Sequence, residues 1–327
     1  MSSTTPAPDP LAPTRLALTS FLLDGDAASA YHFVTELLSG GVPFDAILFD
    51  LFGPVEADLG SRWEYGDYEI SREHAATGAV ETLLALLTGT FEQPEEGDLI
   101  VIASAEGDDH ALPARMVSAY LLYLGHRVLY LGSSVPADDL AEFLEVEQPA
   151  ALVLSCAMAN HLPGARASIA AAHRAGVPVL AGGRGFGPDG RWARAVGADA
   201  WARHPREIEA ILAAGVPSPG DLPPPADDAA AALADRREAL LAAAVTELGT
   251  AATARLRREL ALLFDSVVAA VLVGDAAIVG DTVAWQAAML DAQGHGAEAG
   301  GRLTEALQSA LAGRDPEAAA LLAAGAR

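Results

Sequence analysis

The chain has 327 residues and a formal charge of −24, from 44 acidic and 20 basic side chains, with a single cysteine, Cys156. Every basic residue is arginine, which excludes a lysine Schiff base, a Walker-type phosphate lysine and the lysine of a phospho-aspartate receiver. The acidity excludes a duplex-DNA surface, which needs a net basic face, and one cysteine excludes a disulfide framework or a Cys-based zinc cluster.

The length predicts two domains, or three small ones. Residues 1–14, MSSTTPAPDPLAPT, are polar and proline-rich and read as a disordered leader, with neither a basic n-region nor an apolar core. No apolar run reaches the ~18 residues of a membrane span, so a cytoplasmic location is expected. Over residues 15–94 apolar residues recur at helical spacing, with breaks at Asp24-Gly25-Asp26, Gly40-Gly41-Val42-Pro43 and Tyr65-Gly66-Asp67. That pattern predicts an antiparallel helical bundle.

The pattern changes in residues 95–215. Short apolar runs at Leu99–Ala103, Arg127–Leu131, Ala150–Leu154, Val177–Ala181 and Ala198–Ala202 alternate with amphipathic stretches such as His110–Leu124, Asp138–Glu147 and Gly164–Ala175. Uniformly apolar strands each followed by a helix predict a flavodoxin-like, doubly wound parallel sheet of five strands. Residues 216–228, VPSPGDLPPPADD, read as a proline-rich linker. Residues 229–327 predict a second helical bundle of four or five helices. Leu256, Leu260, Leu263, Val267 and Val271 form its apolar face, with Thr250, Asp275 and Asp315-Pro316 as helix starts. The fold class is therefore α/β plus all-α.

In an open parallel sheet, ligands bind outside the carboxyl ends of the strands. The loops there are SAEGDDHALP (104–113), GSSVP (132–136), SCAMANH (155–161) and GGRGFG (182–187). A dinucleotide fingerprint fails, because the glycines follow strand 4 and Pro188 stands where the last should be; a phospho-receiver fails on the missing lysine. Read alone, His110 is a histidine at a helix start in a solvated loop. Its place at the sheet edge and the acid two residues before it favour a ligand-binding role.

These residues resemble the cobalamin-binding module of methionine synthase, the mutases and their relatives, whose motif is DxHxxG, then about 41 residues, then SxL and later GG. Here Asp108-x-His110 is followed by Pro113, by 41 residues, by Ser155 and by Gly182-Gly183. The resemblance implies that His110 is the lower cobalt ligand, with Asp108 fixing its tautomer. It also implies that Ser133, Ser155, Gly182 and Gly183 surround the rest of the cofactor. Pro113 for glycine and Ser155-Cys156-Ala157 for SxL depart from the pattern.

Upstream, WEYGDYEISREH places nine residues between Trp63 and Glu73-His74. This resembles the W-x9-EH signature of CarH-type light-sensing cobalamin proteins, which implies that Trp63, Glu73 and His74 pack around the adenosyl group of adenosylcobalamin. Those proteins carry a histidine directly after the tryptophan; here it is Glu64, which puts a second histidine ligand there in doubt.

A cobalamin sensor followed by an all-helical domain, without a helix-turn-helix head, resembles the photocobilins, which implies a second chromophore, biliverdin; noncovalent binding is expected, because Cys156 stands at the end of a sheet strand in the other module. Arg257 for a propionate, Asp281 for the pyrrole N–H groups, Trp285 as an apolar wall and His295 for a lactam are the candidates. The expected function is a light sensor rather than an enzyme. Its output is expected to be light-dependent self-association or contact with a protein effector, with no direct DNA binding and no membrane. The alternative is a corrinoid carrier for methyl transfer.

Overall fold

The computed structural model describes residues 11–221 and 227–327. It divides into two compact units: one reaching to Glu92 and including Leu122–Leu124, the other comprising Gln93–Leu121 and Gly125–Arg327. Among the described residues no helix is long and apolar enough to cross a membrane.

In the first unit, α1 (Ala12–Leu23), α2 (Ala27–Ser39), α3 (Phe44–Ala46), α4 (Gly53–Glu64) and α5 (Ile70–Thr88) turn at the three breaks read from the sequence. The expected leader lies outside the described residues as far as residue 10. Its last three residues are helical, because Pro13 stands in the first turn of α1, where its fixed φ suits the helix and its missing N–H has no partner to lose. Asp26 caps α2, its carboxylate accepting from the Ser29 N–H at 3.0 Å. Between α3 and α4 the chain runs as a π-helix, Ile47–Phe52, whose apolar side chains Ile47, Leu48, Leu51 and Phe52 are all fully buried. Nothing in its spacing predicts the wider turn.

The second unit is built on a five-stranded parallel sheet in the order β2-β1-β3-β4-β5. Its strands are β1 (Leu99–Ser104), β2 (Arg127–Gly132), β3 (Ala151–Ser155), β4 (Val179–Gly182) and β5 (Ala200–Ala202). The helices between and after them are α6 (Ala111–Tyr123), α7 (Ala137–Glu147), α8 (Leu162–Arg174), α9 (Arg191–Ala195) and α10 (Ile208–Ala214). This is the flavodoxin-like order, with its reversal between β1 and β3. Both of those strands are buried along their whole length, as their unbroken apolar runs demand. Strands β3 and β4 end one residue later than read, because Ser155 and Gly182 are themselves paired as the last rung of the ladder.

Of the expected linker, 222–226 lie outside the described residues, and a helix begins at Asp227. Six helices follow: α11 (Asp227–Ala234), α12 (Arg237–Leu248), α13 (Ala254–Val273), α14 (Ala277–Ala292), α15 (Ala299–Leu311) and α16 (Pro316–Gly325). The five apolar residues read as one face of α13 are all buried, each worth about 1.5–3 kcal/mol on removal from water. Thr253, not Thr250, caps α13 by accepting from the Leu256 N–H; Thr250 falls in a short 3-10 turn. Asp275 accepts from the Ala277 N–H at 2.9 Å and Asp315 from the Ala318 N–H at 3.0 Å.

These helices are not separate from the sheet. Helix α13 packs on the 3-10 turn Ala159–His161 and on α8. Asp275 takes the Trp192 indole N–H at 2.8 Å and pairs with Arg191 at 3.1 Å. The C-terminal helices thus close on the edge of the sheet where its loops gather.

Candidate functional site

At the β1/β3 reversal the chain builds a pinned acid–histidine pair. Asp108 is fully buried in the loop after β1, and its Oδ1 lies 2.7 Å from His110 Nδ1 and accepts the His110 backbone N–H at 3.1 Å. Its Oδ2 accepts the Ala157 N–H, in the loop after β3, at 2.6 Å. Burial raises the Asp108 pKa, but the bonds from His110 and Ala157 outweigh it and hold the carboxyl below its ordinary value. Asp108 is therefore an anion that fixes the His110 ring through Nδ1, while the half-exposed ring presents its other edge outward.

The backbone around the pair is held with equal care. Ser104 donates to the His110 carbonyl at 3.2 Å and Tyr130 to the Ala111 carbonyl at 3.0 Å. The Gly107 N–H donates to Ser134 Oγ at 3.1 Å, so that Ser134, at φ +53°, makes this loop contact, and its neighbour Ser133 sits half-buried in the bend. Pro113 falls in the first turn of α6, where no helix hydrogen bond is lost. A Cβ on Gly164 would stand 1.8 Å from the Glu106 carbonyl oxygen, so only glycine lets α8 close against the β1 loop.

The small residues after β3 and β4 have a packing reason of their own. Gly183 adopts φ +109°, and a Cβ there would lie 2.3 Å from the Cys156 carbonyl oxygen. Ser155 is buried at the end of its strand, whereas a Cβ on Gly182 would meet nothing closer than 3.9 Å. Cys156 is fully buried, its thiol pKa pushed up by burial, and is inert.

His161 is the residue the sequence reading passed over, although it stands in the loop after β3. Its ring lies edge-on to His110 with centroids 6.4 Å apart, and burial, against the pull of Asp108, holds it below the ordinary imidazole pKa. The only signal for it was a histidine in a ligand-edge loop.

In the first unit, Trp63 is half-buried near the end of α4, and Glu73 and His74 lie in the first turns of α5. His74 Nδ1 lies 2.7 Å from Glu73 Oε2 and is mostly exposed. Beneath them, Thr77 donates to Glu56 at 2.6 Å and sits 3.2 Å from Glu73. Glu56 was not read from the sequence. Its Oε1 is buried without a hydrogen-bond partner, and burial, with Glu73 and Glu81 nearby, raises its pKa to about 7.

The bilin candidates are spread over α13, α14 and the turn after α14. Arg257 is exposed and donates to the Ala252 carbonyl; Asp281 and His295 are exposed, and Trp285 is half-buried. Between these helices lies a buried polar group instead: Gln286 donates to the Glu259 carbonyl at 2.7 Å, Arg255 pairs with Glu259 at 3.1 Å and donates to Met289 Sδ at 3.0 Å.

Residues 99–211 match the family described as "B12 binding domain", and residues 16–88 match a second family of that description. Two such matches in succession, the one over the parallel sheet and the other over the helical bundle, define a cobalamin-binding protein. The chain is similar to the HTH-type transcriptional repressor CarH of Myxococcus xanthus, with 28% identity over 154 residues. That match takes in 45% of this chain and 50% of the relative, so the chain spans about half the length of the curated relative it matches. It shares its fold with the monomethylamine corrinoid protein of Methanosarcina barkeri, at a TM-score of 0.52 and 21% identity over 60% of this chain and 95% of that one. The donor set fits the cofactor: an imidazole oriented by a buried carboxylate is a good ligand for a transition metal such as cobalt.

Proposed function

We propose that this protein is a cytoplasmic light sensor that holds adenosylcobalamin and biliverdin and signals through protein contacts rather than by catalysis. The observation that carries the reading is the Asp108–His110 pair, fixed across the β1/β3 reversal, together with a second acid–histidine pair on the helix that follows Trp63 in the chain. Adenosylcobalamin, when bound, supplies a cobalt–carbon bond that light breaks.

The chain's own residues divide the remaining work. Asp108 holds the His110 ring at Nδ1 so that Nε2 is the metal-binding nitrogen. Ser133, Ser155, Gly182 and Gly183 belong to the loops that would hold the nucleotide tail. Trp63, Glu73 and His74 would enclose the adenosyl group; Glu64 takes the place of the CarH-type histidine, and an acid does not supply the second imidazole. Trp63, Glu73 and His74 would let the first unit exchange between two packings according to whether the adenosyl group is held, and the output would be self-association or binding of an effector. The net charge of −24 favours protein partners over DNA.

The test loads the chain with adenosylcobalamin in darkness, illuminates it, and follows the spectrum and the mass by light scattering. The expected result is a light-driven spectral change with a change in mass. An unchanged spectrum would sink the sensor, and unchanged mass with every effector-free sample would remove self-association. Biliverdin, for which Arg257, Asp281, Trp285 and His295 are the candidate contacts, is tested separately. Its long-wavelength band should sharpen and shift on mixing with the protein, and a spectrum identical to free biliverdin overturns this part.

A further inference from the structure

Cobalamin needs one imidazole from the loop edge, and the structure places two there. Asp108, His110 and His161 each bring a ligand atom into one group, all within 4.8 Å of one another. One carboxylate oxygen and two imidazole nitrogens are the donors that divalent transition ions prefer, whereas calcium or magnesium would want a shell of oxygens.

The group is assembled by the fold rather than by chance side-chain reach. Asp108 is fixed by the Ala157 N–H. His161 ends a 3-10 turn closed by its own N–H on the Met158 carbonyl at 3.1 Å, and helix α13 packs on that turn. Gly164, just beyond, locks the turn against the β1 loop through its contact with Glu106. A cavity of about 320 Å³ opens beside His161, between Gly107 and Asn160 on the sheet side and Arg237, Phe264 and Asp265 on the helices. In its wall the Asn160 Oδ1 is buried without a hydrogen-bond partner, an oxygen acceptor next to His161 in the chain.

We propose that Asp108, His110 and His161 form a chelating site for a divalent transition-metal ion, zinc above all, in the cobalamin-free protein, the ion displacing the proton between Asp108 Oδ1 and His110 Nδ1 to solvent, and that the ion and cobalamin compete for His110. The zinc site stands on these three residues alone; the competition rests on the reading of His110 as the cobalt ligand.

The experiment uses the full chain, free of cobalamin and stripped by chelator, titrated with Zn²⁺ by calorimetry and against a chromophoric indicator. One ion per chain is expected, with affinity falling at least tenfold in both His161→Ala and His161→Gln. The second variant keeps a hydrogen-bonding side chain should the first fold poorly, and far-ultraviolet dichroism checks both. Cobalt(II) in place of zinc should give ligand-field bands that are lost in the same variants. Absence of a stoichiometric site, or wild-type affinity in both variants, overturns the zinc site. In zinc-free buffer both variants should take up cobalamin as the parent does, while saturating zinc should slow uptake by the parent only. Zinc retained undisturbed beside bound cobalamin would overturn the competition while leaving the zinc site standing.

Discussion

Two acid–histidine pairs with the same 2.7 Å separation sit in the two units of this chain, and they are built on different principles. Asp108 and His110 lie in a loop, and the carboxylate is tied to a second strand's loop through Ala157. Glu73 and His74 are neighbours on one helix, and what supports them is Thr77 and, below it, the buried carboxyl of Glu56. The first pair is fixed by backbone N–H groups that do not titrate. The second stands over a group that does. One distance, therefore, does not define one function: the loop pair is a preset ligand, and the helix pair can respond.

The comparison breaks most plainly if Asp108→Ala is mild. Removal of this side chain leaves the Ala157 and His110 N–H groups without their buried acceptor, and the loss expected is about 3–4 kcal/mol, read as a lower urea midpoint. Next comes the pH response, which should have opposite signs in the two units. The Glu56 pKa is raised from its model-peptide value of 4.5 to about 7, so the unfolded state ionises first. The stability Glu56 contributes is complete below about pH 4.5 and is lost as pH rises through 7, on the order of 3 kcal/mol in all. Hydrogen exchange of the α4 and α5 amides should report that loss, and Glu56→Gln should abolish it. Asp108 is held below its ordinary value, so its contribution is complete above about pH 4 and is lost only as pH falls further. A parallel pH dependence in both units would erase the distinction.

Two smaller effects sharpen it. Thr253→Ala removes the cap of α13, the helix that packs on the His161 turn, and should cost about 1 kcal/mol in thermal or urea unfolding. Glu73→Gln loses the charge that faces the exposed His74 but keeps an oxygen that can accept from Thr77, so it should change stability by less than about 1 kcal/mol. A larger loss would mean that this pair too is part of the framework.

Much of this was legible because periodicity and loop position are local. The five apolar runs mark the strands, and the Asp108-x-His110 spacing survives into a real hydrogen bond. What was not legible depends on partners far away in sequence. Nothing about Asp108 announces Ala157, 49 positions on, and nothing about His161 announces its two neighbours. Gly183 could be read as lining a space, when its φ and the Cys156 carbonyl require glycine by themselves. The union of the last six helices with the sheet rests on contacts such as Trp192 with Asp275, which composition at residues 216–228 could only hide.

The π-helical stretch Ile47–Phe52 has a mechanical consequence for the first unit. A wide turn holds one residue more than an α turn, and residues stored this way can be released without breaking the chain's helical path. Returning one residue to α geometry would turn everything downstream on that helix by about 100° and advance it by about 1.5 Å. Val55 and Leu59 would leave the core, and Glu56 and Trp63 would face new surroundings.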